Sequence, residues 1–397
     1  MILGHRIELN PNAAQVTHLA KSAGTARFAY NWALSRMQEH WQVQKGRPRD
    51  QREYLSEGDL RKELNRIKRE QFPWMMDVSK YVVQEAVKQL GVAYKNFFSK
   101  RARHPRKRRK FVNDRFSIGN DQVHVSGKRV RLPIIGWIRM REAIRFPGKI
   151  KSIAVIRQAD RWFISFNIDV EDHTLHFKQT ENQGELLGID AGHRELAVLS
   201  NGERYAGPKA LRKAQKKIRR LQRSLSRREK GSGRRRLMKQ RIAKLHQRIA
   251  NVRKDYTHKL TTKIAQTVNV VCVETLNVKG MMKNRSHAFG MADAGTFEMK
   301  RQLHFKLPLR GGTLVEADQW FPSSKLCSCC GWKNEKLTLK EREWACQECG
   351  TLHDRDENAA LNLKAYAVSY TVKAPGQKSS GGPCKSGKAS ETGLDEG

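Results

Sequence analysis

Apolar positions alternate weakly at the start of the chain (Ile2, His5, Ile7, Leu9) and predict a strand over residues 1–9, which Pro11-Asn12 ends. From Gln15 to Phe98 the period becomes helical. Leu19, Ala23, Ala26, Ala29 or Tyr30, and Ala33 form one stripe; Val83, Val87, Leu90, Tyr94, Phe97 and Phe98 form another. Between Phe111 and Val170 short alternating segments return, punctuated by Gly and Pro. They predict a small antiparallel barrel or sandwich, with residues 1–10 supplying one strand and the helical segment inserted into it. A polar linker is expected at 171–185. ELLGID (185–190) then reads as a buried strand ending in Asp190, followed by a hairpin with Asn201-Gly202 as a type I′ turn.

Residues 209–264 predict a helical hairpin. Leu211, Ala214, Ile218, Leu221 and Leu225 form one seam; Met238, Ile242, Leu245, Ile249, Val252 and Tyr256 form the other. Such arms should pack antiparallel. VNVVCVE (268–274) is a second buried strand, ending in Glu274, and TLVEADQWFP (313–322) is a third candidate. Pro308 and Gly311-Gly312 interrupt the approach to it, where a helix would otherwise continue. DRDENAALNLKAYAV (354–368) predicts a last helix. Residues 374–397 hold six Gly, four Ser and no aromatic residue, and are expected to be disordered. No internal repeat is visible.

Charge changes this picture. The 397 residues carry 78 Lys+Arg against 39 Asp+Glu, a formal net charge of +39. An excess of that size points to a polyanionic partner, whose phosphates release counterions when neutralised. KRARHPRKRRK (100–110) alone has eight positive residues, and 211–230 has ten. Trp41, Trp74 and Trp332 are candidates for base stacking, although core or surface packing is the favoured use of each. No apolar run reaches the roughly 18 residues of a membrane helix. The N-terminus, MILGHRIELNPNAAQ, lacks a basic-then-apolar signal. Seven cysteines, four of them in two close pairs, suit a metal site in a reducing compartment rather than a disulfide framework.

Those pairs, Cys327/Cys330 and Cys346/Cys349, form a CxxC…CxxC array with Gly after each second cysteine. Two such knuckles deliver four thiolates to zinc and leave no open position, so a structural role is expected. Cys329 offers an alternative register, but only Cys330 keeps the Gly-after-Cys pattern. Cys272 reads as core and Cys384 has no evident role.

Three acids stand far apart. Asp190 and Glu274 each end an apolar strand, and Asp356 opens the last helix. Singly, they read as a turn residue, a solvated strand end and an N-cap. Together, carboxylates gathered at the carboxyl ends of α/β strands need a cation, and hard oxygen donors favour magnesium or manganese. Paired divalent ions of this kind serve phosphodiester hydrolysis.

GIDAG, VETLNVKGMMKN, FPSSKLCSCCG and HDRDENAALNL, with PNAAQ…GTARFAYNWAL and AYKNFF near the start, resemble the TnpB family of transposon-encoded relatives of type V CRISPR effectors. The resemblance runs from about residue 5 to about residue 368. It implies a multidomain α+β protein. A β-barrel wedge domain (1–14 and 100–184) holds a helical recognition insertion (15–99). A RuvC-type, RNase H-like α/β nuclease domain follows (185–322 and 353–373), with an inserted zinc ribbon (323–352). It implies an RNA-guided DNA endonuclease with a catalytic, magnesium-holding triad at Asp190, Glu274 and Asp356. Asp354 is then a neighbouring or capping group. It also implies partners, a guide-scaffold RNA and a double-stranded DNA target, with the protein as a monomer on its RNA in a prokaryotic cytoplasm at the nucleoid. Lys80 and Gln84 match positions near the target-adjacent motif. Two other readings stay open: a catalytically silent RNA-guided or zinc-ribbon DNA-binding regulator, and a strand-transfer transposase.

Overall fold

A computed structural model describes residues 1–112, 114–172, 176–177, 182–338 and 340–373. Part of the expected linker, and the whole tail expected to be disordered with Cys384, lie outside the described residues. The chain divides into two compact units, Met1–His173 with Glu229–Gln247, and Thr174–Arg228 with Arg248–Gly397.

The first unit begins with β1 (Ile2–Asn10), whose alternation buries Leu3, His5, Ile7 and Leu9. Ile2, expected inside, is exposed, because a period of two admits only one parity. Asn12 and Gln15 then close a capping box that starts α1 (Ala13–Lys45). The predicted stripe of α1 is buried at Leu19, Ala23, Ala26, Ala29, Tyr30 and Ala33. Two further helices follow, α2 (Glu57–Gln71) and α3 (Lys80–Phe98). Val83, Val87 and Leu90 of α3 are buried, but the end of the stripe runs out at Phe98, which is 73% exposed.

Strands β2 (Arg115–Ile118), β3 (His124–Ser126), β4 (Arg129–Leu132), β5 (Gly136–Met140), β6 (Lys149–Gln158) and β7 (Arg161–Asp169) complete a seven-stranded sheet. Its order is β2-β6-β7-β1-β5-β4-β3, and every pairing is antiparallel. The first strand therefore lies at the centre of a sheet whose other strands come about a hundred residues later, which is why the helices read as an insertion. Within the basic run, Arg108 is held by the fold. Its backbone N–H donates to Asn31, its side chain donates to Gln89, and its guanidinium lies 3.8 Å from the Tyr30 ring centroid. Burial lowers its pKa to about 10.

The second unit carries a five-stranded sheet. Strands β8 (Asn182–Asp190), β9 (Ala197–Leu199) and β10 (Arg204–Tyr205) form an antiparallel meander. The β9–β10 turn differs from the expected type I′. Only Gly202 is left-handed (φ +87°), and Leu199 N–H donates to Glu203 O, so the loop spans three residues with a glycine bulge. Helix α4 (Ala210–Ser226) leads to α5 (Gly233–Thr267), which begins in the first unit and ends in the second. The seam expected along α4 is half open: Ala210 and Ile218 are buried, but Leu211, Leu221 and Leu225 only partly so.

Strand β11 (Val268–Glu274) runs parallel to β8. Helices α6 (Val278–Met281), α7 (Arg285–Ala294) and α8 (Thr296–Lys306) follow. Pro308 opens a single 3-10 turn and Gly311 (φ +79°) closes it, redirecting the chain into β12 (Thr313–Ala317), parallel to β11. The interruption seen in the sequence is this helix-to-strand turn. Strands β13 (Glu343–Ala345) and β14 (Leu352–Asp354) pair by themselves, and α9 (Arg355–Lys373) ends the described chain.

Sheet parity decides which side chains meet. Leu187, Ile189, Val271 and Val273 pack with Leu260, Ile264 and Leu303 of α5 and α8. Cys272 and Val315 pack on the other face against Leu363 and Ala367 of α9. Helix α9 approaches so closely that a Cβ on Gly188 would collide with Ala360 O and stand 2.5 Å from Lys364 N. Both are backbone atoms and cannot step aside. Gly188→Ala is therefore expected to cost about 4 kcal/mol or more, read as lost soluble yield or a collapsed urea midpoint. No helix among the described residues is long and apolar enough to cross a membrane.

Candidate active site and metal centre

Residues two apart on a strand share a face, so Asp190 and Glu274 fall on the α9 side of the sheet, with Leu186 and with Val270 and Cys272 respectively. Neighbouring parallel strands carry them in register, since Val273 is paired with Ile189. Helix α9 starts at that same end of the sheet. Its cap is Asp354, whose Oδ1 accepts from the N–H groups of Asp356 and Glu357, both at 3.0 Å. Asp354 thus takes the capping place, and Asp356 sits inside the first turn, where its side chain is not spent on the cap.

Asp190, Glu274 and Asp356 line one cavity of about 370 Å³, with Arg342 and Arg355. Burial, and then the charges of Glu274 and Asp356, push the Asp190 carboxyl well above the usual range; Arg355 and Arg342 oppose this only in part. Glu274 is raised by burial as well, against a hydrogen bond from the Ser323 hydroxyl. Arg342 Nη1 donates to both oxygens of Asp356, at 2.8 and 2.9 Å. Its Nε is enclosed without a partner. The three acids share the cavity but are not drawn into a tight cluster. Among the described residues, only the four cysteines form a group of three or more such side chains with all donor atoms within 4.8 Å of one another. Like charges stay apart where no cation gathers them, and Arg342 neutralises one of the three. Carboxylate oxygens sharing one cavity, two of them (Asp190 and Glu274) with raised proton affinity, suit a hard divalent ion, which would replace the missing positive charge.

Cys327, Cys330, Cys346 and Cys349 are that tight group. Cys327 Sγ lies 3.6 Å from Cys349 Sγ, and Cys330 Sγ lies 3.5 Å from Cys346 Sγ. A tetrahedron with zinc–sulfur bonds of about 2.3 Å has edges of about 3.8 Å, so the four sulfurs fit one ion. His353 Nε2 lies 3.0 Å from Cys327 Sγ. The spacing argument chose Cys330 over Cys329, and Cys330 is the residue in the cluster. Cys272 is core, and burial pushes its thiol up to about 12.

Several contributors escaped the sequence reading. Asn358 and Asn362, one helical turn apart on α9, clamp the first knuckle. Asn358 accepts from Ser328 N–H, and both side chains donate to Leu326 O. Their spacing in DENAALNL was the available signal. Arg204 pairs with Glu195, Asp354 and Glu357 and pins the hairpin to the start of α9. Arg342 had no signal, being one cation among 78 Lys+Arg. Lys80 and Gln84 lie in the first unit, on the opening turns of α3 (Lys80 exposed, Gln84 half-buried).

Three family models match the chain: one described as "Probable transposase" over residues 165–285, a Cas12f1-like TNB domain over 297–363, and a helix-turn-helix domain over 1–46. In this chain the last stretch is a strand and one uninterrupted helix. A protein of Streptomyces pristinaespiralis named "Putative RNA-guided DNA endonuclease" is 32% identical over 389 residues, covering 96% of this chain and 93% of its own. One of Escherichia coli (strain K12), with the same name and the suffix InsQ, is 31% identical over 398 residues, covering 96% of both. The chain belongs to the TnpB family. Its fold also matches a Cas12f1 chain from a cryo-EM structure of a Cas12f1–sgRNA–target DNA complex. The TM-score is 0.55 at 17% identity, over 87% of this chain and 81% of that one. At that identity the likeness to Cas12f1 concerns the TnpB fold alone.

Proposed function

We propose that this TnpB-family chain is an RNA-guided DNA endonuclease, carried by an insertion sequence, that hydrolyses guide-matched DNA beside a short target-adjacent motif. The observation that carries the reading is the convergence of Asp190, Glu274 and Asp356, from β8, β11 and α9, on one cavity. Its support includes relatives of nearly full length that bear the endonuclease name.

In this reading the three carboxylates hold magnesium or manganese. Such ions supply an activated water and stabilise the leaving oxygen in phosphodiester hydrolysis. Asp190 and Glu274 are carried by adjacent strands and Asp356 by a capped helix, so the backbone brings the three to one cavity and an ion would have only their side chains to draw together. Arg342 and Arg355 give the cavity positive charge for a phosphate, and Arg342 can exchange Asp356 for that phosphate without leaving the site. The four-cysteine ribbon holds zinc in a closed, structural role. We further assign the seven-stranded sheet as the wedge, residues 15–99 as the recognition insertion, and the five-stranded sheet, with two parallel strands beside an antiparallel meander, as the RuvC-type nuclease core. Lys80 and Gln84 then read the target-adjacent motif. Scaffold RNA and the guide–target duplex are held through backbone and shape, while base pairing carries sequence.

The test is a matched plasmid library with randomised flanking sequence, incubated with protein purified on its own RNA in magnesium. Linearisation confined to one flanking motif is the expected result. RNA-dependent binding with no nicking in magnesium or manganese would replace this reading with the silent regulator. Joined transposon ends would replace it with strand transfer.

A further inference from the structure

Within the first unit, a cavity of about 590 Å³ that shares no lining residue with the one holding the three acids is lined by Arg157, at the end of β6, and by the first turns of α5. Its walls carry Arg157, Arg235, Arg236 and Lys239, and no carboxylate is among the described residues lining it. The neighbouring acid, Asp114, is already engaged: its Oδ1 accepts from Arg27 Nη1 at 2.7 Å and from Phe111 N–H at 3.1 Å. Asp114 Oδ2 stands 3.9 Å from Arg157 Nη1. The enclosed Nε of Arg157 has no partner at all, a donor that is costly to leave unmade. The N-terminus of α5 is not the attraction, because Ser232 Oγ already accepts from Arg235 N–H.

Phe111 stands on the wall of this cavity, 61% exposed, with its backbone left-handed at φ +64°. A bulky ring there gives the fold neither burial nor relaxed backbone. Its ring centroid lies 5.5 Å from the Arg157 guanidinium and 5.3 Å from the Lys110 ammonium. An exposed aromatic face among several cations, with no carboxylate lining the same cavity, is the combination that binds a single strand: the base stacks and the phosphates pair.

We infer that this cavity takes one nucleotide of a single strand, its base on Phe111 and its phosphates on Arg157, Arg236 and Lys239. The inference rests on the nucleic-acid partners proposed above but not on cutting, so its test reads binding alone.

The full-length protein is irradiated with a short single-stranded oligonucleotide carrying iodouracil, in one RNA arm and one DNA arm, and the crosslinked residue is located by mass spectrometry. A crosslink at Phe111 is expected, retained in Phe111→Trp and reduced by about fivefold or more in Phe111→Gly. Glycine is at ease at this φ, so Phe111→Gly should keep or raise Tm, which separates stacking from a packing role. Replacing Arg236 and Lys239 together by Ala should lower the slope of log affinity against log salt by about 1.4, two phosphate contacts at about 0.7 each. A crosslink in the RNA arm alone assigns the pocket to the RNA, in the DNA arm alone to a DNA strand, and in both to a site indifferent to the sugar. Crosslinks spread over the basic segments without Phe111 in either arm would overturn the inference, as would a lowered Tm in Phe111→Gly with its crosslink yield unchanged.

Discussion

Asp190→Asn is expected to lower plasmid cutting by about a thousandfold or more and, in the same protein, to raise the melting temperature of the magnesium-free form. In the proposed mechanism the loss follows from removing one of the three charged donors that would hold the metal, a contribution of several kcal/mol. The gain follows from the cost of the site. Asp190 is placed where burial and two neighbouring carboxylates oppose its ionisation, and the two arginines compensate only in part. Asn keeps the shape and drops the charge.

The pH dependence gives that trade a sign. Folding raises the proton affinity of Asp190, so the native state holds more protons than the unfolded chain between the unfolded carboxylate value, about pH 3.9, and the raised native value. Stability falls as pH climbs through that interval and stays reduced above it. The melting advantage of Asp190→Asn should therefore be largest in mildly alkaline, magnesium-free buffer and should vanish in acid, where wild-type Asp190 is protonated. Magnesium should raise wild-type Tm and leave the variant nearly unmoved, because only the native wild-type site gains by binding it. A variant that melts lower than wild type at every pH, or still cuts at the wild-type rate, would remove Asp190 from the role assigned to it.

Much of this site could be read from the chain because two of its acids end runs of apolar residues. A strand such as VNVVCVE announces both its length and the polar group it delivers, and β11 has the expected limits. The cysteines were legible for a related reason, since thiolate geometry imposes its own spacing. Legibility failed where the partner is remote or the chemistry common. Nothing local distinguishes Arg342 from other cations, and its value lies in reaching Asp356 across a fold. Asp354 caps α9, one of the two places expected for it, but which of the two acids caps could not be told from the pattern alone, because a cap depends on where the helix starts and pattern fixes that boundary only to a residue or two. The Asn201-Gly202 turn lengthened by one residue because the register of β9 and β10, not the dipeptide, sets the loop. The open seam of α4 has the same lesson: a heptad stripe states that a face is apolar, and leaves its partner unnamed.

Cys346→Ser is expected to disorder the ribbon and, through it, to disable a cavity that contains no cysteine. The ribbon's own core is Cys327, Leu337, Trp344 and Cys346, with Trp332 half-buried beside them. Its two strands, three residues each, are too few to stand alone. In the proposed reading its order comes from zinc, whose binding in small thiolate sites is worth about 10–16 kcal/mol. Arg342 immediately precedes β13, and its carbonyl accepts from Arg355 N–H at 2.7 Å, so the first strand of the ribbon is what holds the guanidinium against Asp356. Zinc content near zero, altered tryptophan fluorescence and strongly reduced cutting should appear together, with RNA binding by the protein retained. Arg342→Ala supplies the comparison: zinc content and fluorescence unchanged, cutting down by about a hundredfold, the usual loss for one donor aimed at developing charge. If Arg342→Ala cuts normally while Cys346→Ser does not, the ribbon acts through some contact other than this arginine. If both cut normally, the ribbon has no part in assembling the cavity.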